Sequence, residues 1–177
     1  MNCYAIQVRT RSEEKYIRLF KSQHSDESFQ IHFPRRRINN KRDGKIIPAM
    51  YAVFPGYIFI EAASDDILRH QWDFRRIEGF FRFLKSNSNI TPIIENDLNI
   101  VHHFIKPAGA VVGISKVYFN DKSRIVVLEG PLSGMEGNII KVDKKRCRAK
   151  IKLDLFDDSF TIDLAFEVLG KPEKSPL

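Results

Sequence analysis

The sequence predicts two domains: an α+β domain with flanking helices on one antiparallel sheet, then a small all-β barrel of the SH3-like kind. Three observations predict it. Up to residue 107, two-residue alternation of apolar side chains gives way repeatedly to helical spacing. Around residues 107 to 116, Pro107, Gly109, Gly113 and small side chains interrupt both periods. Beyond them, short strands recur every eight to twelve residues within a segment of about fifty, and closure into a barrel removes the edges that so small a sheet would expose.

Taken in order, Tyr4, Ile6 and Val8 alternate with Cys3, Ala5 and Gln7, both sets largely apolar, as in a strand covered on both faces. Ser12 can accept backbone donors as a helix N-cap with Glu13 and Glu14 in the first turn, and Tyr16, Leu19, Phe20 and Gln23 follow at helical spacing. From Phe33 to Pro48, a polar tip at Asn39 to Gly44 separates two extended stretches, a basic hairpin. Tyr57, Phe59 and Glu61 alternate with Ile58 and Ile60 in a central strand. Ser64, Asp65 and Asp66 open a second helix carrying Ile67, Leu68, Gln71 and Trp72. Phe80, Phe81, Phe83 and Leu84 form another strand, and a last helix from about Glu95 places Leu98, Val101, His102 and Ile105 on one face.

The first domain is therefore expected over 1–107 and a linker over 108–117. A barrel follows over 118–170 and a tail over 171–177. The barrel strands are Ile125 to Leu128, Asn138 to Val142, Cys147 to Leu153 alternating with Arg146, Arg148, Lys150 and Lys152, and Phe160 to Leu164. A domain of that size is only marginally stable alone.

Composition narrows the class. Of 177 residues, 43% are hydrophobic and 29% charged, which excludes a wholly disordered, collagen-like or disulfide-scaffold chain. No apolar run approaches the roughly 18 to 20 residues of a membrane span, and Met1 to Val8 lacks the basic start and apolar core of a signal peptide. A soluble, cytoplasmic monomer without membrane contact is expected. The two cysteines, Cys3 and Cys147, sit in separate apolar segments with no second Cys or His at ligand spacing. They read as buried free thiols, with no metal and no cofactor.

The net charge is +7 and it is unevenly placed. Residues 35 to 45 carry Arg35, Arg36, Arg37, Lys41, Arg42 and Lys45 against Asp43 alone. A second run, 141 to 152, holds Lys141, Lys144, Lys145, Arg146, Arg148, Lys150 and Lys152 against Asp143, whereas 153 to 177 is acidic. Such runs fit a polyanion contact and equally a solvated face, and charge alone does not separate the two. Arg11, Lys15 and Arg18 share one edge of the first helix.

Two motifs carry a family resemblance. Gly130-Pro131-Leu132-Ser133-Gly134-Met135-Glu136-Gly137, followed by Asn138-Ile139-Ile140-Lys141-Val142, resembles the KOW motif of transcription factors and ribosomal proteins, with glycines free to take positive φ. Phe54-Pro55-Gly56-Tyr57-Ile58-Phe59-Ile60 resembles the signature strand of the NusG N-terminal domain. Cys3-Tyr4-Ala5-Ile6 is similar to the family's opening strand, though the family often has Trp-Tyr there, and Arg75 to Phe83 is similar to the segment around its Gly-Val-x-x-Phe.

The resemblance implies that the first domain binds bacterial RNA polymerase across its central cleft, gripping the clamp through an apolar patch. By motif position the contacts fall on Tyr4, Phe54, Tyr57 and Phe81. Such anchors must stay partly exposed on a rigid sheet to act as hot spots. The basic hairpin and the two-domain economy are more similar to specialised paralogs of the RfaH and LoaP type. In RfaH-like proteins a His nine residues before the Gly of the fourth strand faces the opposite cleft wall, and His70 stands nine before Gly79. Gln71-Trp72 replaces the threonines that follow it there.

For recruitment, Arg9, Arg11, Lys15, Arg75 and Arg76 match positions where RfaH-like proteins present cations to non-template DNA, where charge combines with stacking. LoaP-like proteins resemble readers of a nascent RNA hairpin, which suits Arg35, Arg36, Arg37 and Lys41. Leu132 and Met135 match the barrel loop through which the family contacts a further factor, ribosomal protein S10 among them. The Gly-rich loop and alternating strands favour a stable barrel over RfaH's helical alternative.

Enzyme signatures are missing: no P-loop, dinucleotide fingerprint, nucleophile elbow or paired-carboxylate spacing. The five histidines are scattered, and His102 and His103 point about 100° apart on a helix. The expectation is a transcription elongation and antitermination factor. A ribosome-associated KOW protein, binding RNA through Arg146, Arg148, Lys150 and Lys152, is the alternative, and a small RNA-processing enzyme using His70 is a third.

Overall fold

Apolar residues on both sides of the first strand require cover on both faces, and the computed structural model supplies it. The structure describes residues 1–24, 28–84, 87–156 and 158–170, so the expected tail 171–177 lies outside the described residues. The chain divides into two units, Met1–Arg35 with Ala52–Ala110, and Arg36–Tyr51 with the residues from Val111 onward.

In the first unit the elements are β1 (Asn2–Val8), α1 (Glu13–Gln23), β2 (Gln30–His32), β5 (Tyr57–Ala62), α2 (Ser64–Arg69), α3 (Gln71–Arg76), β6 (Phe80–Phe83) and α4 (Glu95–Ile105). The sheet runs β2-β5-β1-β6, antiparallel throughout, with Tyr4 opposite Ile60 and Ile6 opposite both Ile58 and Phe83. One face, Tyr4, Ile6, Val8, Ile58 and Ile60, packs on Tyr16 and Phe20 of α1 and Phe74 of α3. On the other, Phe54 meets Phe59 and Phe104 of α4 edge-on at 5.6 Å each. Each such fully buried side chain contributes about 1.5–3 kcal/mol relative to exposure.

Two local expectations are corrected. Ser12 precedes α1, but its hydroxyl makes no capping bond; its carbonyl accepts the Tyr16 amide at 2.9 Å. The helix expected from Ser64 through Trp72 is broken at His70 (φ −99°, ψ 10°), which separates α2 from α3.

In the second unit, β3 (Arg35–Arg42) and β4 (Lys45–Ala52) form the basic hairpin. Its tip is a turn with positive φ at both Asp43 (51°) and Gly44 (75°), the geometry that matches strand twist in a two-residue hairpin. β7 (Val111–Val112) adds a third strand beside β3, in the order β4-β3-β7. The hairpin residues Arg36–Tyr51 thus group with the second unit, although their sequence lies inside the stretch expected as the first domain. Residues 108–117, expected as linker, hold a 3-10 turn (Ala108–Ala110), β7 and the start of β8 (Ser115–Phe119).

The barrel adds β9 (Ile125–Glu129), β10 (Ile139–Asp143), β11 (Arg148–Leu155) and β12 (Asp158–Val168), in the order β10-β11-β12-β8-β9. Its pairs are antiparallel except β12 with β8, where Phe166 lies opposite Ser115. Ala149, Ile151, Leu153 and Leu155 face the core, so the alternating cations point outward. The Gly130 loop closes over β8: Ser115 Oγ accepts the Leu132 amide at 2.9 Å. At Gly130 (φ 100°), a Cβ would lie 2.6 Å from Ser115 Cα.

Candidate nucleic-acid interface

Strand alternation sorts the hairpin cations into two sets. Arg37, Asn39 and Lys41 are exposed, while Arg36, Ile38 and Asn40 turn inward, Ile38 fully buried. Arg36 is half-buried, and burial lowers its pKa from the ordinary value, with Asp163 and Tyr51 opposing that shift and Arg148 adding to it. Its guanidinium lies 5.9 Å from the Tyr51 ring centre, and the Tyr51 hydroxyl accepts from Asn40 Nδ2 at 3.1 Å. Arg36, expected as a nucleic-acid contact, thus packs within its own unit.

The second basic run meets the first. Arg148 of β11 donates to Asn40 Oδ1 at 2.7 Å and to the Asn39 carbonyl at 3.4 Å. Together Asn39, Asn40, Lys41, Lys145, Arg146 and Arg148 line one cleft. A second hollow, lined by Lys141, Asp143, Arg146, Arg148, Lys150 and Asp163, shares Arg146 and Arg148 with it.

Other cations of this run have partners. Lys150 pairs with Asp163 at 3.0 Å and Lys152 with Asp154 at 3.4 Å. Lys144 Nζ lies 4.2 Å over the Phe119 ring. Among the described residues no such ion pair involves Lys41 or Lys145, and both line the cleft.

In the first unit the expected cations are spread over different tasks. Arg9 (3.5 Å) and Lys15 (2.9 Å) share Glu78, and the Lys15 hydrogen bond, reinforced by the charges of Lys15 and Arg9, holds the Glu78 carboxyl below the usual carboxylate range. Exposed pairs of this kind contribute little to stability. Arg11 and Arg76 are exposed. Arg35 binds Glu14 at 2.6 Å. Arg75 is built into the fold: it lies 4.6 Å over Trp72 and 5.7 Å over Phe83, and donates to Gln71 Oε1 at 3.2 Å and to the Asn87 carbonyl.

The aromatic residues expected as exposed anchors are mostly core. Tyr4 and Phe54 are buried, Tyr57 is 8% exposed, and only Phe81, at 56%, is open to solvent. Tyr4 belongs to the core between the sheet and α1, and Phe54 packs against Phe59 and Phe104. The signature turn between Phe54 and Phe59 is tied to α1, where Gly56 (φ 82°) donates its amide to the buried Glu13 carboxylate at 2.7 Å. Sequence reading took Glu13 for a helix-dipole residue, and nothing in its spacing marked it as a buried acceptor. Trp72, 58% exposed above Arg75, is the aromatic surface that motif position missed. His70 is half-buried, its Nδ1 2.9 Å from Asp73 Oδ2. Leu132 (0%) and Met135 (8%) are buried too, because the loop carrying them folds onto Ser115.

Among the described residues, no helix is long and apolar enough to cross a membrane.

A family model described as transcription termination factor nusG matches residues 1–102. The chain is 22% identical over 179 residues to the transcription termination/antitermination protein NusG of Helicobacter pylori (strain J99), covering 97% of this chain and 98% of that one. It is 23% identical over 150 residues to the protein of the same description in Bacillus subtilis (strain 168), covering 82% and 81%. A solved structure described as domain interaction in Thermotoga maritima NusG has the same fold, with a TM-score of 0.59 at 17% identity over 93% of both chains.

Proposed function

The chain belongs to the NusG family, and from that premise we propose that it is a transcription elongation factor of the specialised RfaH or LoaP type. In this reading it binds RNA polymerase through its first unit and promotes processive antitermination at selected operons. The second unit grips a nucleic-acid element that recruits it, nascent RNA or exposed non-template DNA. The observation that carries the recruitment half is the meeting of two basic segments, remote in sequence, at one cleft lined by Lys41, Lys145, Arg146 and Arg148. Phosphate oxygens need several cations at fixed separation, and counterion release makes such a cleft attractive to any polyanion.

The first unit offers Phe81 and Trp72 as exposed aromatic surface for the polymerase contact, in keeping with the few large anchors on which interfaces depend. Tyr4, Phe54 and Tyr57 act at one remove, by holding the sheet rigid. Binding the closed clamp more tightly than the open one shifts the polymerase away from the paused state. The exposed Leu128 and Ile140 of the barrel, rather than Leu132 and Met135, would meet a further factor such as ribosomal protein S10.

The test is affinity for a stalled bacterial elongation complex over a salt series. Nascent RNA is left long or trimmed by nuclease, and the non-template strand is present or absent. Binding that depends on one of these strands, with a steep salt slope, supports the reading and identifies the element. Absence of polymerase binding overturns it and favours a ribosomal role.

A further inference from the structure

Apart from these surfaces, the first unit gathers three metal-ligating side chains, one of them the His70 expected at the polymerase cleft. His24 follows the last residue of α1, His70 is the break between α2 and α3, and Asp73 lies three residues beyond it in α3. One ring nitrogen of each histidine and one oxygen of Asp73 lie within 4.8 Å of one another. Asp73 Oδ2 is 2.9 Å from His70 Nδ1 and 3.9 Å from His24 Nδ1.

We propose that His24, His70 and Asp73 form a binding site for a divalent transition-metal ion of the zinc class. Donors bonded at about 2.0–2.2 Å around a tetrahedral ion stand about 3.3–3.5 Å from each other. The two distances to Asp73, 2.9 and 3.9 Å, bracket that spacing, and the two ring nitrogens, which lie within 4.8 Å of each other, draw together as the ion binds. Two imidazoles and one carboxylate suit zinc, cobalt or nickel, whereas magnesium and calcium prefer oxygen donors throughout. The side chains are 22%, 24% and 26% exposed, open enough for an ion to enter and retain a water in the fourth position.

The surrounding rings fix the donors. Phe20 stacks on His24 at 4.8 Å, and Phe29 meets His70 edge-on at 5.4 Å. The same phenylalanines stack on, or meet edge-on, Phe74 from α3. This apolar backing lowers the local dielectric and strengthens the attraction between cation and carboxylate. The break at His70 also has a purpose in this reading, since it turns an imidazole toward a donor more than forty positions earlier in sequence. A bound ion cross-links the end of α1 to the α2–α3 break, and its binding energy adds to the stability of the first unit.

A second pair of histidines makes an internal control. His32 and His102 contact Glu61 at 2.8 and 3.3 Å, but through different carboxylate oxygens. That is the arrangement of a hydrogen-bonded bridge rather than of three donors converging on one point.

The experiment is titration of zinc chloride into the metal-stripped full-length protein, followed by calorimetry and thermal unfolding, with the cobalt absorption spectrum as a check on geometry. One ion per chain, a melting temperature that rises with zinc, and a tetrahedral cobalt spectrum are expected. His24→Ala and Asp73→Asn should each weaken binding by more than the roughly 10–100-fold lost when a mere supporting partner of a ligand is removed. The His32→Ala/His102→Ala double variant should bind as the parent does. If His24→Ala lowers the metal-free melting temperature, His24→Gln replaces it. No saturable binding, binding unchanged in both site variants, or binding lost equally in the control would overturn the proposal.

Discussion

Arg148 and Asn40, 108 positions apart in sequence, are joined by a 2.7 Å hydrogen bond that fastens the basic hairpin to barrel strand β11. Hydrogen bonds to charged groups contribute about 1.5–3 kcal/mol. Arg148→Ala should therefore lower the stability of the protein by about that amount and weaken nucleic-acid binding together with it. Chemical denaturation and a filter-binding titration check the two effects.

Exposed cleft cations should separate binding from stability. Lys41→Glu and Lys145→Glu are expected to leave the melting temperature unchanged. Each removed cation should flatten the dependence of log affinity on log salt by about 0.7–0.9. An unchanged slope in both variants would place the nucleic acid elsewhere.

Phe81 and Phe54 should behave oppositely. Phe81→Ala, at an exposed position, is expected to reduce polymerase affinity at constant stability. Phe54→Ala empties a site packed against Phe59 and Phe104 and should cost about 3–5 kcal/mol in unfolding free energy. Parallel polymerase pull-down and urea titration distinguish them.

Two glycines of the barrel loop allow a graded test. Gly134 (φ 80°) has open space around its missing Cβ, whereas at Gly130 the Cβ would collide with β8 backbone. Gly134→Ala should cost about 1–2 kcal/mol, from left-handed backbone alone. Gly130→Ala should cost distinctly more, because Ser115 has to move. Near-ultraviolet circular dichroism and denaturant midpoints would show the order.

Burial, aided by the charge of Glu61, pushes the Cys3 thiol up to about 12. The unfolded thiol ionises near 8.5. The folded value is the higher one, so the contribution to stability is complete below about pH 8.5 and declines as pH rises toward about 12. Under native conditions at pH 8, iodoacetamide should modify the half-buried Cys147 before the buried Cys3. Equal rates read by peptide mass mapping would contradict this.

Periodicity and turn chemistry, both local properties, were enough to read the order of elements from the sequence. Alternation in Cys3 to Val8 marked a strand covered twice, and the Gly130 to Gly137 segment marked the barrel loop. The two basic runs were legible as well, since charge needs no fold to be counted. Only the tertiary structure decided which side chains remain at the surface. Tyr4, Phe54, Tyr57, Leu132 and Met135 sit in motifs, but a motif records spacing and not solvent. Phe54 is buried by Phe104, fifty positions on, and Leu132 by the fold-back of its loop onto Ser115. The junction of Arg148 with Asn40, the Glu13 carboxylate under Gly56, and the meeting of His24 with His70 and Asp73 all join segments far apart in the chain. Sequence separation carries no trace of such contacts, because packing selects them only once the sheets have closed.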